Sequence, residues 1–593
     1  MKKYLFIALA ALGFAACAEK MDDNSPVQKG ELEESYIAIN LMSADVDTRA
    51  EGDPLFPDNT YEAGTAAERK IHSAYFFFFD AEGEAFNVTG NPASAPGGSV
   101  NHLSLTISDG YTDGMPNVSD IKEAVLVLKT YKGVYPSKIV AVLNWTPDHD
   151  KAYTLADLRG VMENSIGDDT YGYVMSNSVY MDKAGNIVDA VPLTADNIKT
   201  SEVDAKATPV NIYVERTAAK VVLTANGKVT ADNIFTTQKT SDLVGSNNGT
   251  LVVAPNAIDV YVKLHGWELY NDYSTSTLLK NINTTWDDED LGLTWNDRPY
   301  FRCYWAQSQN TLLNDSFSWS YIQDPAPDDA PATFNGFPTE NGFKVAENAN
   351  YAAGTYTYCG ENTNQKVDAT DPRTKVILKG QLMQKNQDGT YSALELARWY
   401  GTEYAGNEAL RTAVANSLKY TLYYHDGTKY VSIAPVDLEC VSGIAGAEAY
   451  EVGFKLSTAG EGKTWYKYSS EKGYESLGDV ASDENKINTN AELAKVEPAL
   501  VYAYGNTYYF IDIEHLGTAG AKYGVVRNHV YQIDINSITG YGTPVYMGTS
   551  SIVTPPEYPE DEEGSYVAAK INVLSWKVVQ QSVNIQPNPT PGA

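Results

Sequence analysis

The stretch "SYIAINLMSADVDTRAEGDP", residues 35–54, changes character halfway. In its first half Ile37, Ile39 and Leu41 alternate with Tyr36, Ala38 and Asn40, the period-two pattern of a strand with one buried face. Its second half is rich in Asp, Gly and Pro and reads as an exposed loop. Arg49 is the lone basic residue there. It fits either a trypsin-like processing site or an ordinary surface arginine, and the residues by themselves leave both open.

What precedes this strand places the chain outside the cytoplasm. Lys2 and Lys3 lead an apolar run, "YLFIALAALGFAA", too short to span a bilayer and read as a signal peptide. Ala15 and Ala16 directly before Cys17 match a lipoprotein signal, with the Cys17 thiol as the lipid acceptor. Residues 18–35 form a polar, acidic tether.

Working outward, the body reads as strand after strand. With 593 residues it exceeds one core. Its 42 Tyr and 45 Gly lean toward strands and turns. Buried strands are expected at "SAYFFFFDAEG" and "SKIVAVLNW", and one long strand or two across "VNIYVERTAAKVVLTANGKV" from Val210, near a domain boundary. "VSDIKEAVLVLKTYK" fits a helix or a strand. Helices are expected at "TLADLRGVMENS", capped by Thr154 with Leu155, Leu158 and Met162 on one face, and at "NEALRTAVANSL", 407–418. The pattern predicts a mainly β chain of antiparallel sandwiches with a few short helices. Its last β run, "AAKINVLSWKVVQQSVNIQ", ends with Val579, Val583 and Ile585 on one face; a strand so near a chain end is easily donated.

Charge and motifs exclude several functions. Against 44 Lys plus Arg stand 76 Asp plus Glu, a net charge of −32, which disfavours nucleic acid. Gly462, Lys463 and Thr464 lack the rest of a phosphate loop. His72, His102, His149, His265, His425, His515 and His529 are scattered, and the acidic run at 286–292 lacks the spacing of a calcium loop. Cys303, Cys359 and Cys440 form no CxxC pair and read as buried thiols, although export would permit a Cys303–Cys359 bridge. The many Tyr and Trp could stack on sugars, but scattered aromatics more often pack strands. No enzyme, metal or cofactor is expected.

"NIYVERTAAKVVL" (211–223), "HGWELYND" (265–272), "FRCYWAQS" (301–308), "YTYCGENT" (356–363), "VVRNHVYQIDINSITGYG" (525–542) and "INVLSWKV" (571–578) together resemble the Bacteroidales-type fimbrillins, the type V pilins, and among them shaft subunits of minor fimbriae. The resemblance implies two transthyretin-like β-sandwich domains, at 50–215 and 216–593, after a signal peptide (1–17) and a propeptide (18–49). It implies lipidation at Cys17, cleavage of Arg49–Ala50 by an arginine-specific protease, and removal of the strand bearing Ile37, Ile39 and Leu41. A C-terminal donor strand, with Val578, Val579, Val583 and Ile585, would then fill the next subunit's groove. The implied partners are identical subunits, anchor and tip subunits, and surface ligands of host or bacterium; the implied place is a fimbrium on the cell outer membrane. The competing expectations are a monomeric surface lipoprotein that binds glycan or host protein, and an anchor or tip subunit.

Overall fold

The structure is a computed structural model. It describes residues 31–43, 68, 70–91, 98, 100–105, 121–163, 167–168, 170–181, 187–270, 276–281, 301–302, 355–362, 373–442, 451–514, 524–544, 546, 566–575 and 577–579. The chain is mainly β, as the residue pattern predicts, with strands gathered in several sheets and few short helices.

The first sheet contains β1 (Leu32–Ser43), β2 (Ala74–Phe79), β3 (His102–Leu105), β4 (Ile121–Tyr131) and β5 (Lys138–Leu143). Its order is β3, β2, β5, Met175–Asn177, Val210–Arg216, β1, β4. The ambiguous run at 121–131 is therefore a strand, because its neighbour β1 supplies a ladder along its whole length. The sheet curls so that Ile37, Ile39, Leu126, Leu128 and Ile212 meet Phe76, Phe78, Ile139 and Ala141 in one core. The other face of β2 and β5 is covered by α1 (Leu155–Gly160), whose Leu155 and Leu158 join Tyr75, Phe77 and Val140. Burial on both sides explains why β2 reads as an unbroken apolar run. Thr154 caps α1 by accepting a hydrogen bond from the Asp157 amide at 3.0 Å, and Asp157 Oδ2 accepts from the Thr154 amide at 2.9 Å.

"VNIYVERTAAKVVL" is two strands, since Val210–Arg216 stays in the first sheet and Ala219–Ala225 opens another. The second core lies between two sheets. One carries Ala219–Ala225 and His529–Thr539 in parallel, the other Ile258–Tyr270, Lys375–Lys385 and Asn506–Asp512. Val221, Leu223, Tyr531 and Ile533 face Val262, Leu264, Leu378 and Ile511. A third core sits in the chain between Lys375–Lys385 and Asn506–Asp512, two strands that neighbour each other in one sheet. Helix Gly406–Leu418 packs Leu410 and Val414 there against Trp399, Phe454 and Trp465.

His265 is the extra residue of a β-bulge in Ile258–Tyr270, where the register steps from Leu264 to Gly266. Its Nε2 lies 3.2 Å from Gln381 Oε1. Burial, helped by Lys263 and Lys379, lowers its pKa from 6.5 to about 4. Acidification through that interval protonates the unfolded chain first, so the second sandwich loses stability as pH falls from 6.5 toward 4, by up to about 3 kcal/mol. His265→Gln should flatten this loss in thermal melts taken across that range; an unchanged pH profile would count against it.

Candidate functional site

β1 is not an edge strand. On one side it runs antiparallel to β4 from Leu32↔Tyr131 to Met42↔Ile121. On the other it runs parallel to Val210–Arg216, from Ile39↔Val210 to Ser43↔Val214. Before that parallel stretch, the Tyr36 amide donates to Lys199 O at 2.8 Å and the Lys199 amide to Tyr36 O at 3.0 Å. Both edges of the strand are thus paired at Tyr36 and from Ile39 to Ser43.

Between Ile37 and Ile39 its side chains are buried on both faces. Ile37 and Ile39 are fully enclosed in the first core. On the opposite face Ala38 is equally inaccessible, and α2 (Glu202–Ala207) lies against β1. Ser201 caps α2, accepting from the Asp204 amide at 3.2 Å. The slot that holds β1 therefore takes large apolar groups on its inner face and a small residue on its outer one. Each isoleucine contributes roughly 1.5–3 kcal/mol of burial, and each ladder hydrogen bond about 0.5–1.5 kcal/mol. β4 depends on β1: among the described residues its other edge is bridged only where the Lys129 amide donates to Val88 O, at 2.8 Å.

The second feature is the chain's C-terminal end. Tyr566–Ser575 pairs along its length with His529–Thr539, and a hairpin then sets Lys577–Val579 against Ser575–Val573 at the margin of that sheet. Val578 and Val579 thus belong to a three-residue edge strand. Leu41 continues β1, paired with Lys122 and Ile212. Cys17, Arg49, Ala50, Val583, Ile585, Cys303 and the acidic run at 286–292 lie outside the described residues. Cys359 and Cys440 are buried, and burial pushes the Cys440 thiol up to about 12. Lys463 binds Asp437 at 2.5 Å beside the four-residue helix Thr458–Glu461, so the phosphate-loop-like triplet is a structural turn.

Residues 501–582 match the family model of the fimbrillin C-terminal region, the type IV major fimbrial subunit protein. This part of the chain is similar to the C-terminal region of fimbrillins. The match takes in Asn506–Asp512 and His529–Thr539, one from each sheet of the second sandwich, and the terminal hairpin. No curated protein is significantly similar in sequence. Among solved structures, a candidate cell adhesion protein of Parabacteroides distasonis ATCC 8503 aligns at 12% identity and TM-score 0.31, over 93% of this chain and 100% of its own. The tip fimbrial protein Mfa3 of Porphyromonas gingivalis, with C-terminal truncation, aligns at 11% identity and TM-score 0.29, over 92% and 100%. A fimbrial assembly protein of P. distasonis ATCC 8503 aligns at 9% and 0.26, over 61% and 100%. TM-scores this low establish no common fold, and the fimbrillin assignment rests on 501–582.

Sequence reading did not find the buried ions at the junction of the first two cores. Glu68 binds Lys220 at 2.8 Å and accepts from the Tyr358 hydroxyl; Lys280 binds Glu215 at 2.8 Å; Arg527 binds Glu361 at 3.0 Å. A charge inside an apolar pattern, such as Glu215 and Arg216 after "NIYV", was the available signal. In the uncut chain, Ile39→Ala should cost about 2–5 kcal/mol. Faster hydrogen exchange in β4 and Val210–Arg216, with none in the third core, is the expected readout.

Proposed function

We propose that this fimbrillin is the shaft subunit of a surface fimbria, exported as a lipoprotein on Cys17, cut after Arg49, and polymerised by exchanging β1 for the C-terminal strand of another copy. The observation that carries the reading is the placement of β1: a strand at the N-terminal end of the chain that fills a two-sided slot inside a sheet. A segment that merely tethers a domain to lipid has no reason to supply its core.

The physics sets the order of events. While β1 is joined to its own domain its effective concentration in the slot is high, and no foreign strand competes. Cleavage after Arg49 ends that advantage, yet two ladders and two buried isoleucines still hold the strand. Exchange then proceeds by displacement, the incoming strand taking over hydrogen bonds as β1 gives them up. Among the described residues the donor end, Lys577–Val579, pairs over three residues, which is cheap to detach. A head-to-tail exchange is heterologous and propagates as a filament. Adhesion, with anchor and tip subunits as partners and the outer membrane as its base, follows as the role of such a fibre.

Arg49→Ala should leave intact monomers and no ladder of heat-resistant oligomers on gels. Mass spectrometry of sheared fibres should place the mature N-terminus at Ala50, and lipidated Cys17 within the polymer would refute the shaft role. Deleting residues 577–593 should give cleaved protein that does not polymerise; fibres of ordinary length from that variant would exclude C-terminal donation. Ala38→Trp should mark the slot from the other side, destabilising the precursor while leaving the assembled shaft unaffected.

A further inference from the structure

The aromatics that look scattered in sequence converge on one sheet of the third core. Its strands are Tyr430–Ser432, Leu422–His425, Trp465–Ser469 and Gly473–Ser476, in that order. The register pairs Tyr423 with Tyr466, His425 with Tyr430, and Tyr468 with Tyr474. Directly opposed residues, and those two apart, share a face. Five tyrosines and His425 therefore line one side. The alternate positions Leu422 and Trp465 are buried in the third core, with Tyr424 packed on it. The tyrosine face consequently points away from that core.

These rings hold one another. Tyr430 and Tyr474 stack with centroids 3.7 Å apart and planes within 4°. Tyr423 meets Tyr474 edge-on at 5.1 Å, Tyr466 meets Tyr430 at 5.2 Å, and Tyr468 lies 4.9 Å from Tyr474. Even so, Tyr468 and Tyr474 remain 38% and 39% exposed. Cross-strand packing therefore leaves part of these ring surfaces open to solvent.

Charge decides what the face suits. The chain carries a net −32, yet the paired positions here hold Tyr, His and Ser, with no Asp, Glu, Lys or Arg. Lys467 and Glu475, the charged residues of Trp465–Ser469 and Gly473–Ser476, oppose each other on the other side, bound to Glu492 at 2.7 Å and Lys472 at 3.5 Å. We infer that this face is a binding site for neutral oligosaccharide. Ring faces accept the C–H face of a pyranose, while the tyrosine and serine hydroxyls exchange hydrogen bonds with its hydroxyls. Locked rings lose little rotamer freedom on binding, and no ion is stripped of water. An anionic glycan or a second copy of this acidic chain meets like charge, and a cationic partner finds no carboxylate on the face.

The test uses the full soluble chain with lacto-N-neotetraose and maltotetraose as neutral probes and sialyllactose as the anionic one. Titration calorimetry should show a neutral probe binding in the millimolar range or tighter. Tyr468→Ala and Tyr474→Ala should each weaken it roughly two- to tenfold, and Tyr474→Phe should retain most of it. In the unsubstituted chain the same probe should protect Tyr468 and Tyr474 from nitration, read by mass spectrometry, so the result does not depend on a variant folding. Failure of both neutral probes to bind, binding unchanged by the alanine variants, absent protection, preference for sialyllactose, or self-association lost in Tyr474→Ala would each overturn the assignment. None of these outcomes bears on the exchange of β1.

Discussion

Everything in the first domain leans on the double pairing of β1. The strand gives β4 its ladder, gives Val210–Arg216 a parallel neighbour, and inserts Ile37 and Ile39 between the curled halves of the sheet. Take it away and three separate debts appear together: unpaired amides on two strands, apolar walls open to water, and a β4 held, among the described residues, by a single bridge. A domain built this way is incomplete without a strand in that place, whichever chain the strand comes from.

Much of this was legible in the residues, and the misses have physical causes. β2 and β5 announced themselves because burial on both faces leaves an unbroken apolar run, and α1 because Thr154 can cap a turn with Leu155 and Leu158 on one face, although the helix stops at Gly160 and Met162, expected on that face, falls in a short strand. The alternation of residues 36–42 showed that β1 is half-apolar, but not that Ala38 is buried too, since alanine is silent in a periodicity argument. The run at 121–131 was undecidable locally, its state being set by a partner 79 to 99 residues upstream in register. The third core escaped because its strands alternate with polar turns like those of any sandwich. The tyrosine face escaped because it is assembled by cross-strand register, which no single segment displays.

The junction between the first two cores is held by charges rather than by grease. Glu215 and Lys280 are both fully buried, Arg527 is fully buried beside Glu361, and Glu68 and Lys220 are nearly so. Burying such ions costs several kcal/mol apiece before their attraction is counted, so an apolar seam would hold at least as well. What ions and hydrogen bonds supply instead is direction: the Arg527 guanidinium reaches Glu361, Ser276, Thr277 and Leu278 only in one relative placement of the strands. The same logic separates the two proposed features. The β1 slot would work through apolar enclosure, the tyrosine face through an uncharged surface on a chain otherwise crowded with carboxylates.

Only Thr217 and Ala218 lie between the strand that flanks β1 and the strand that founds the second sandwich. Both are tied down, the Thr217 amide donating to Val174 O at 3.0 Å and the Asn528 amide to Ala218 O at 2.7 Å. In a fibre built by the proposed exchange, drag from flowing liquid would pass from the borrowed strand into Val210–Arg216 and straight on into Ala219–Ala225, with no slack hinge to stretch first. Because ladder hydrogen bonds lie crosswise to their strands, such a pull loads many of them at once in shear instead of peeling them one by one. A rope of these units would resist tension far better than bending.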